Sequence, residues 1–284
     1  MQQRTLIGKT VALTGASGGL GRALCARILA DGGALIVIDR NAKKQAALMD
    51  SLRTEYPNAT VEGLLADMED MQSVKALADA LSQKAIDFLI LNAGAYSIPR
   101  HKTALGLDNV FCINFVSPYY LSRALMPNIE ARGGRVIAVG SIAHNYSKSD
   151  AADEDFSTRT RASLVYGNAK RHLMAAFFAL AESGADVAVT HPGISFTGIT
   201  AHYPKIIFAL IRHPMKLIFM KPKKAALSIY EGLFTPTAAG EWIGPRLFNV
   251  WGKPKKQRVK TIGKEEQARL ASYAEALYSS LCEG

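Results

Sequence analysis

Apolar residues along this chain come in short, nearly unbroken runs at 11–13, 34–39, 60–66, 86–91 and 133–141. Between the runs lie longer stretches with a helical period, at 20–29, 41–54, 70–83 and 103–129. Short runs rich in Val, Ile and Leu predict strands covered on both faces, and the periodic stretches predict the helices that cover them. Strand and helix in alternation call for a parallel, right-handed, doubly wound α/β sheet. A strongly apolar helix is predicted from Tyr166 to about residue 181, and an amphipathic one near 265–281. The polar, Ser/Thr-rich segment 144–163 reads as an excursion between elements.

Composition narrows this picture. A chain of 284 residues suits one large α/β domain over 1–284, and 49% apolar residues exclude a disordered chain. The three cysteines, Cys25, Cys112 and Cys282, are too few and too far apart for a disulfide framework or a metal site, so a reducing, cytoplasmic setting and no metal are expected. Cys25 and Cys112 sit in apolar helical patterns and are expected to be core thiols. No signal peptide is expected, since the first apolar run is a short strand. The net charge of +10 favours anionic partners, a cofactor's phosphates or an acidic membrane surface. It is scattered and accompanied by no nucleic-acid motif, so no nucleic-acid partner is expected.

The first strand breaks into Thr14-Gly-Ala-Ser-Gly-Gly-Leu-Gly21, which reopens as a helix. Strand, glycine turn and helix in that order form the opening unit of a dinucleotide-binding sheet. Gly15 would permit the sharp turn, Gly19 the approach of a pyrophosphate, and Gly21 the close packing of helix on strand. Thr14, Ser17, Gly18 and Leu20 complete the turn, whose first helical N–H groups have no internal partners. Asp39 ends the second strand, where a carboxylate can hydrogen-bond both ribose hydroxyls of NAD and repel the 2′-phosphate of NADP. Arg40 beside it could instead attract that phosphate. The position of the acid favours NAD, with NADP the alternative; a strand-end Asp capping the helix from Asn41 fits either. Asp67 and Met68 follow the third strand, at the expected adenine pocket. Asn92, Ala93 and Gly94 follow the fourth, where small residues would let a cofactor cross the sheet and the Asn side chain could tie strands together.

Three further features carry chemistry. Asn114 lies inside an apolar helix, where a buried amide is costly unless satisfied and can disturb the backbone ladder. Ser141 is delivered to the C-terminal edge of the sheet by the fifth strand. Tyr166 and Lys170 share a helix face at a spacing of i and i+4. A phenol titrates near ~10, so acid–base work at neutral pH needs a nearby cation to lower it.

Together these motifs resemble the classical short-chain dehydrogenase/reductase family over about residues 8–235, with the Rossmann-type sheet that family uses. The resemblance implies an NAD(P)-dependent oxidoreductase moving a hydride between nicotinamide and an alcohol or carbonyl carbon. By that resemblance Tyr166 is the general acid/base, Ser141 holds the substrate oxygen, and Lys170 binds the nicotinamide ribose and depresses the Tyr166 pKa. Asn114 holds a water linking Lys170 to solvent. Pro192, Gly193, Ile194 and Thr197 fix the nicotinamide carboxamide. The long Ser141-to-Tyr166 spacing, His191-Pro-Gly193 and Lys224-Ala-Ala-Leu resemble the retinol-dehydrogenase-like branch, which implies a lipophilic substrate. A single Asn92 and the pair Asp39-Arg40 depart from that pattern. The family also implies a mobile substrate lid, here at about 197–222, and a homodimer or homotetramer.

The lid region holds apolar runs at 206–211 and 217–220 flanked by Lys and Arg. It is too short and charged to span a bilayer. It reads as a lid over an apolar cleft or as a peripheral membrane or partner contact through 203–222. His191, His202 and His213 show no metal spacing and read as structural or surface residues. The tail from 252 to 284 reads as a solvated basic face followed by a helix that covers the core or joins a dimer. Two other functions compete: a catalytically silent NAD(P)-binding regulator, opposed by the complete set of Asn114, Ser141, Tyr166 and Lys170, and a sugar-nucleotide epimerase or dehydratase, for which little C-terminal chain is left.

Overall fold

The computed structural model describes residues 5–193 and 220–283. Its strands are β1 (Thr10–Thr14), β2 (Ala34–Asp39), β3 (Val61–Leu65), β4 (Phe88–Leu91), β5 (Arg135–Val139), β6 (Val187–Thr190), β7 (Glu241–Leu247) and β8 (Trp251–Arg258). They form an eight-stranded sheet in the order β3-β2-β1-β4-β5-β6-β7-β8. Pairing is parallel from β3 through to β7, and β8 returns antiparallel along β7.

Helices α1 (Gly19–Ala30), α2 (Ala42–Glu55), α3 (Met71–Ser82), α5 (Ala162–Glu182), α6 (Pro222–Glu231) and α7 (Lys264–Glu283) flank the sheet. Helix α4 is composite: α-helical over Asn109–Phe111, π-helical over Cys112–Val116, and α-helical again over Ser117–Glu130. Alternation along the strands divides the core. Val11 and Leu13 turn to the face covered by α1, α2 and α6, while Ala12 turns to the face covered by α3, α4, α5 and α7. Cys25 and Cys112 are buried, one on each face.

Strands β6 and β7 and helix α6 carry no expectation from the sequence, and three further elements differ from the sequence reading. The helix expected from residue 103 begins at Asn109, because Gly106 turns the chain at positive φ and Thr103 bonds Leu107 across the loop. The Asp108 carboxylate then accepts the Val110 N–H at 2.9 Å and caps the helix. The helix that carries Tyr166 opens earlier, at Ala162, in chain assigned to the excursion. Finally, the basic face from Trp251 is an edge strand. Its lysines are exposed, but it is part of the sheet through β7, whose Gly244-Pro245 hides the strand period. Helix α7 covers the core, burying Leu270, Ala274 and Leu281 against the sheet's second face.

Candidate active site

The strand order reverses between β1 and β4, and the crevice at their C-terminal ends holds a cleft of about 370 Å³. Gly15, Ser17, Gly18, Gly19, Leu20 and Gly21 form one wall, and Asp39 and Arg40 stand at the end of β2. Asp67 and Met68 line it after β3, and Asn92, Ala93 and Gly94 after β4. Gly15 sits at φ +66°, where a Cβ would lie 2.9 Å from the Ala93 Cα. A Cβ on Gly21 would lie 2.3 Å from the Gly15 carbonyl oxygen, so α1 can abut the turn only without a side chain there. Helix α1 has Gly18 as its N-cap and no side-chain cap. Its first-turn N–H groups thus belong to residues that line the cleft, a cradle suited to phosphate.

Thr14 works beneath the cleft rather than in it. Its Oγ1 accepts from the backbone N–H of Asn92 and of Ala93 at 3.0 Å each. The Asn92 amide donates to the carbonyls of Thr14 at 3.0 Å and Gly15 at 3.2 Å, tying the ends of β1 and β4 together as expected.

At the β2 end the Asp39 carboxylate is buried and accepts the Ser17 hydroxyl at 2.7 Å and the Ser17 N–H at 3.0 Å. Burial raises its pKa and the bonds from Ser17 oppose that rise. It does not cap α2; Asn41 does, accepting the Lys44 N–H at 3.0 Å. Asp67 accepts the Glu69 N–H at 3.0 Å, and Asp70 caps α3.

Asn114, Ser141, Tyr166 and Lys170 lie against the other end of the cleft, behind Gly94 and Tyr96. A Cβ on Gly94 would meet Asn114 Oδ1 at 2.8 Å and Lys170 Nζ at 3.8 Å. The Tyr96 ring meets that of Tyr166 edge-on at 5.4 Å. The Ser141 hydroxyl lies close enough to the Tyr166 phenol to act on its titration. Lys170 Nζ lies 5.8 Å from the Tyr166 ring centre and donates to the Val139 carbonyl at 2.9 Å. Asn114 stands in the π-helical turn, the disturbance expected of it, and donates to the carbonyls of Ala95 and Val110 at 2.8 Å each. Its Oδ1 is buried without a hydrogen-bond partner among the described residues.

The expected lowering of the Tyr166 pKa is not a property of the protein alone. Burial pushes the phenol up to about 12 against the opposing effect of Ser141, with Tyr96 and Tyr146 adding to the rise. The same burial brings Lys170 down to about 7, which weakens the cation meant to act on Tyr166.

The sequence reading missed the scaffold behind this set. His144 donates from Nδ1 to the Ser141 carbonyl at 2.6 Å, which leaves Nε2 to accept the Thr261 hydroxyl at 2.7 Å. Burial holds its pKa below the usual imidazole value. Arg171, one residue past Lys170 and buried, donates to the His144 carbonyl at 3.0 Å and to Glu266 at 2.6 Å. A signal existed: Arg171 and His172 stand inside an otherwise apolar helix and demand partners. Pro192 and Gly193 follow β6, with Gly193 at φ +79°, and His191 stacks on Trp242 at 4.8 Å. Ile194, Thr197, His202, His213 and the lid up to residue 219 lie outside the described residues. Among the described residues no three His, Cys, Asp or Glu side chains are grouped to hold a metal, and no helix is long and apolar enough to cross a membrane.

A short chain dehydrogenase family model matches residues 9–152, just over half of the chain. The chain belongs to the short chain dehydrogenase family. Within this family it is 28% identical over 206 residues to human retinol dehydrogenase 13, covering 70% of this chain and 62% of that protein. The chain thus spans a little under two thirds of the length of that relative and of mouse retinol dehydrogenase 12. Among solved structures, an uncharacterized protein from Mycobacterium paratuberculosis superposes with a TM-score of 0.70 at 24% identity, covering 98% of this chain and 95% of that one. The short-chain dehydrogenase from Sphingobium yanoikuyae in complex with NADPH superposes at 0.60, also 24% identical, covering 79% and 84%. These structures share the Rossmann-type fold.

Proposed function

We propose that this short chain dehydrogenase is an NAD(P)-dependent oxidoreductase acting on a lipophilic alcohol or its carbonyl partner, with NAD preferred. The observation that carries the reading is convergence. A phosphate cradle forms one end of the cleft, and at the other end Gly94 and Tyr96 stand between it and Asn114, Lys170 and Tyr166, with Ser141 close to Tyr166. The cleft fits a dinucleotide: its turn tolerates no Cβ at Gly15 or Gly21, and a carboxylate stands at the β2 terminus.

The nicotinamide, when bound, supplies hydride chemistry at its ring carbon. Ser141 holds the substrate oxygen by hydrogen bond, and Tyr166 gives or takes the proton at that oxygen. Lys170 stands beside the phenol, and when it is protonated its charge favours the phenolate. Asn114 Oδ1, buried next to Lys170, accepts a hydrogen bond from a water that connects Lys170 to solvent. Pro192, Gly193, Ile194 and Thr197 hold the carboxamide. Asp39, aimed by Ser17, selects the unphosphorylated ribose. The lipophilic substrate is supported by the similarity to a retinol dehydrogenase and by the apolar runs of the stretch 203–222, which we assign to a lid with peripheral membrane contact.

Fluorescence titration with NADH and NADPH, followed by a panel of lipophilic alcohols and aldehydes, tests this reading. Binding of NADH ahead of NADPH and turnover of long-chain substrates are expected. A protein that binds neither dinucleotide is not an oxidoreductase of this kind.

A further inference from the structure

Large apolar side chains exposed on the described surface are few, yet Leu247, Phe248 and Trp251 stand together at the tip of the β7–β8 hairpin, 53%, 85% and 38% exposed. The turn that presents them is unusual. Val250 N–H donates to the Leu247 carbonyl at 2.9 Å, and both central residues have positive φ, +52° at Phe248 and +57° at Asn249. Such turns favour Asn and Gly, and a bulky side chain at the first position is strained. The chain accepts that strain to hold a phenyl ring in water.

Behind the tip the hairpin is basic. Arg246, Lys253, Lys255, Lys256 and Arg258 are exposed. Glu241, at the base, is the one acid between 241 and 258 and pairs with Lys256 at 3.3 Å. Leu247 and Trp251 are direct cross-strand partners, so they share a face, while the extra β8 residue between Trp251 and Pro254 shifts the alternation and puts Arg246, Lys253 and Lys255 on the other face of the hairpin, just behind the tip. An apolar tip followed by cations fits a surface with acyl chains below and phosphates above.

We propose that the β7–β8 hairpin docks on an anionic lipid surface, with Phe248, Leu247 and Trp251 entering the headgroup layer and Arg246, Lys253 and Lys255 meeting lipid phosphates. A second copy is the weaker occupant. Pairing along β8 would set lysines against lysines, and Pro254 interrupts the donors that edge-to-edge pairing needs. Nucleic acid would use the cations and leave the apolar tip in water. The proposal stands apart from the assigned activity, because docking requires neither cofactor nor turnover.

The test is sedimentation of the full chain with phosphatidylcholine vesicles, with and without phosphatidylserine. Tryptophan emission provides a second signal, since Trp242 is buried and Trp251 is half-exposed. Expected are pelleting with the anionic vesicles alone, loss of pelleting in salt, and a blue shift of emission. Phe248→Asn suits the turn and preserves the fold, and it weakens the apparent affinity roughly tenfold, as does the pair Lys253→Glu and Lys255→Glu. Three results overturn the proposal: no pelleting of the wild type, Phe248→Asn pelleting like the wild type, which moves any contact to a segment such as 203–222, or a vesicle-independent dimer that Phe248→Asn dissolves. None of these bears on dinucleotide binding.

Discussion

At the β2 end of the cleft, the Asp39 carboxylate takes both its hydrogen-bond partners from Ser17, a residue of the glycine turn it faces. At the β5 end, Asn114 Oδ1 has no hydrogen-bond partner among the described residues, Lys170 donates to one carbonyl, and burial moves both Tyr166 and Lys170 away from their ordinary titration ranges. The first end is finished by local chain before any ligand arrives, as suits a group that recognises. The second is left electrostatically short, as suits groups that must change charge when a ligand enters. Its supports also come from far along the chain: Thr261 and Glu266 hold His144 and Arg171, which flank Ser141 and Lys170.

The largest effect should fall at the unfinished end. Tyr166→Phe removes the proposed proton donor but little volume. Turnover is expected to fall about 10³-fold, some 4 kcal/mol, with dinucleotide affinity unchanged. Steady-state kinetics with fluorescence titration checks this. A variant that turns over like the wild type would remove Tyr166 from the chemistry and erase the contrast.

That contrast also governs how much of the molecule was legible in the sequence. The glycine turn, Asp39 and Asn92-Ala-Gly94 follow strands whose apolar runs are continuous, so their positions at strand ends could be read directly. Tyr166 and Lys170 were legible as a helix-face pair, but the helix around them begins at Ala162, under a polar segment with no apolar period. The scaffold from His144 to Glu266 was not legible, because hydrogen bonds between residues more than a hundred positions apart leave no local spacing. Strand β6, only four residues long, was missed, and β7 and β8 were missed because an edge hairpin needs only one covered strand: Trp242 and Ile243 are buried while β8 is largely exposed.

The scaffold itself gives the second prediction. Burial alone would raise the Glu266 pKa, but bonds from Arg171 and Ser149 outweigh it and bring the carboxyl from 4.5 to about 2. A folded-state pKa below the unfolded one adds stability that is complete above the ordinary value and fades as pH falls toward the folded one. The Glu266 side chain is 22% exposed, and its lowered pKa corresponds to about 3 kcal/mol at neutral pH. Glu266→Gln should cost about that much in urea denaturation at neutral pH, and the difference from the wild type should close between 4.5 and about 2. A difference that stays constant across that window would mean that shape, not charge, ties α7 to Arg171.

The smallest effect is expected at the finished end, and it separates recognition from scaffolding there. Asp39→Asn keeps an oxygen that can accept from Ser17 while it removes the negative charge. If Asp39 served only to hold the turn, the variant would bind NADH and NADPH in the same ratio as the wild type. If the carboxylate selects the cofactor, its loss removes repulsion of a 2′-phosphate. Arg22 and Lys44, close enough to act on Asp39, and Arg40 beside it would then no longer be offset. One charge at the partly screened rim of a cleft is worth about 1.4 kcal/mol, so the NADPH-to-NADH affinity ratio should rise about tenfold. The glycine turn should keep its shape, so the affinity for NADH should fall less than that for NADPH rises. A wild type that already prefers NADPH, or a ratio that does not move in Asp39→Asn, would mean that the arginines and lysine set the choice and that the bond to Ser17 is the whole of what Asp39 does.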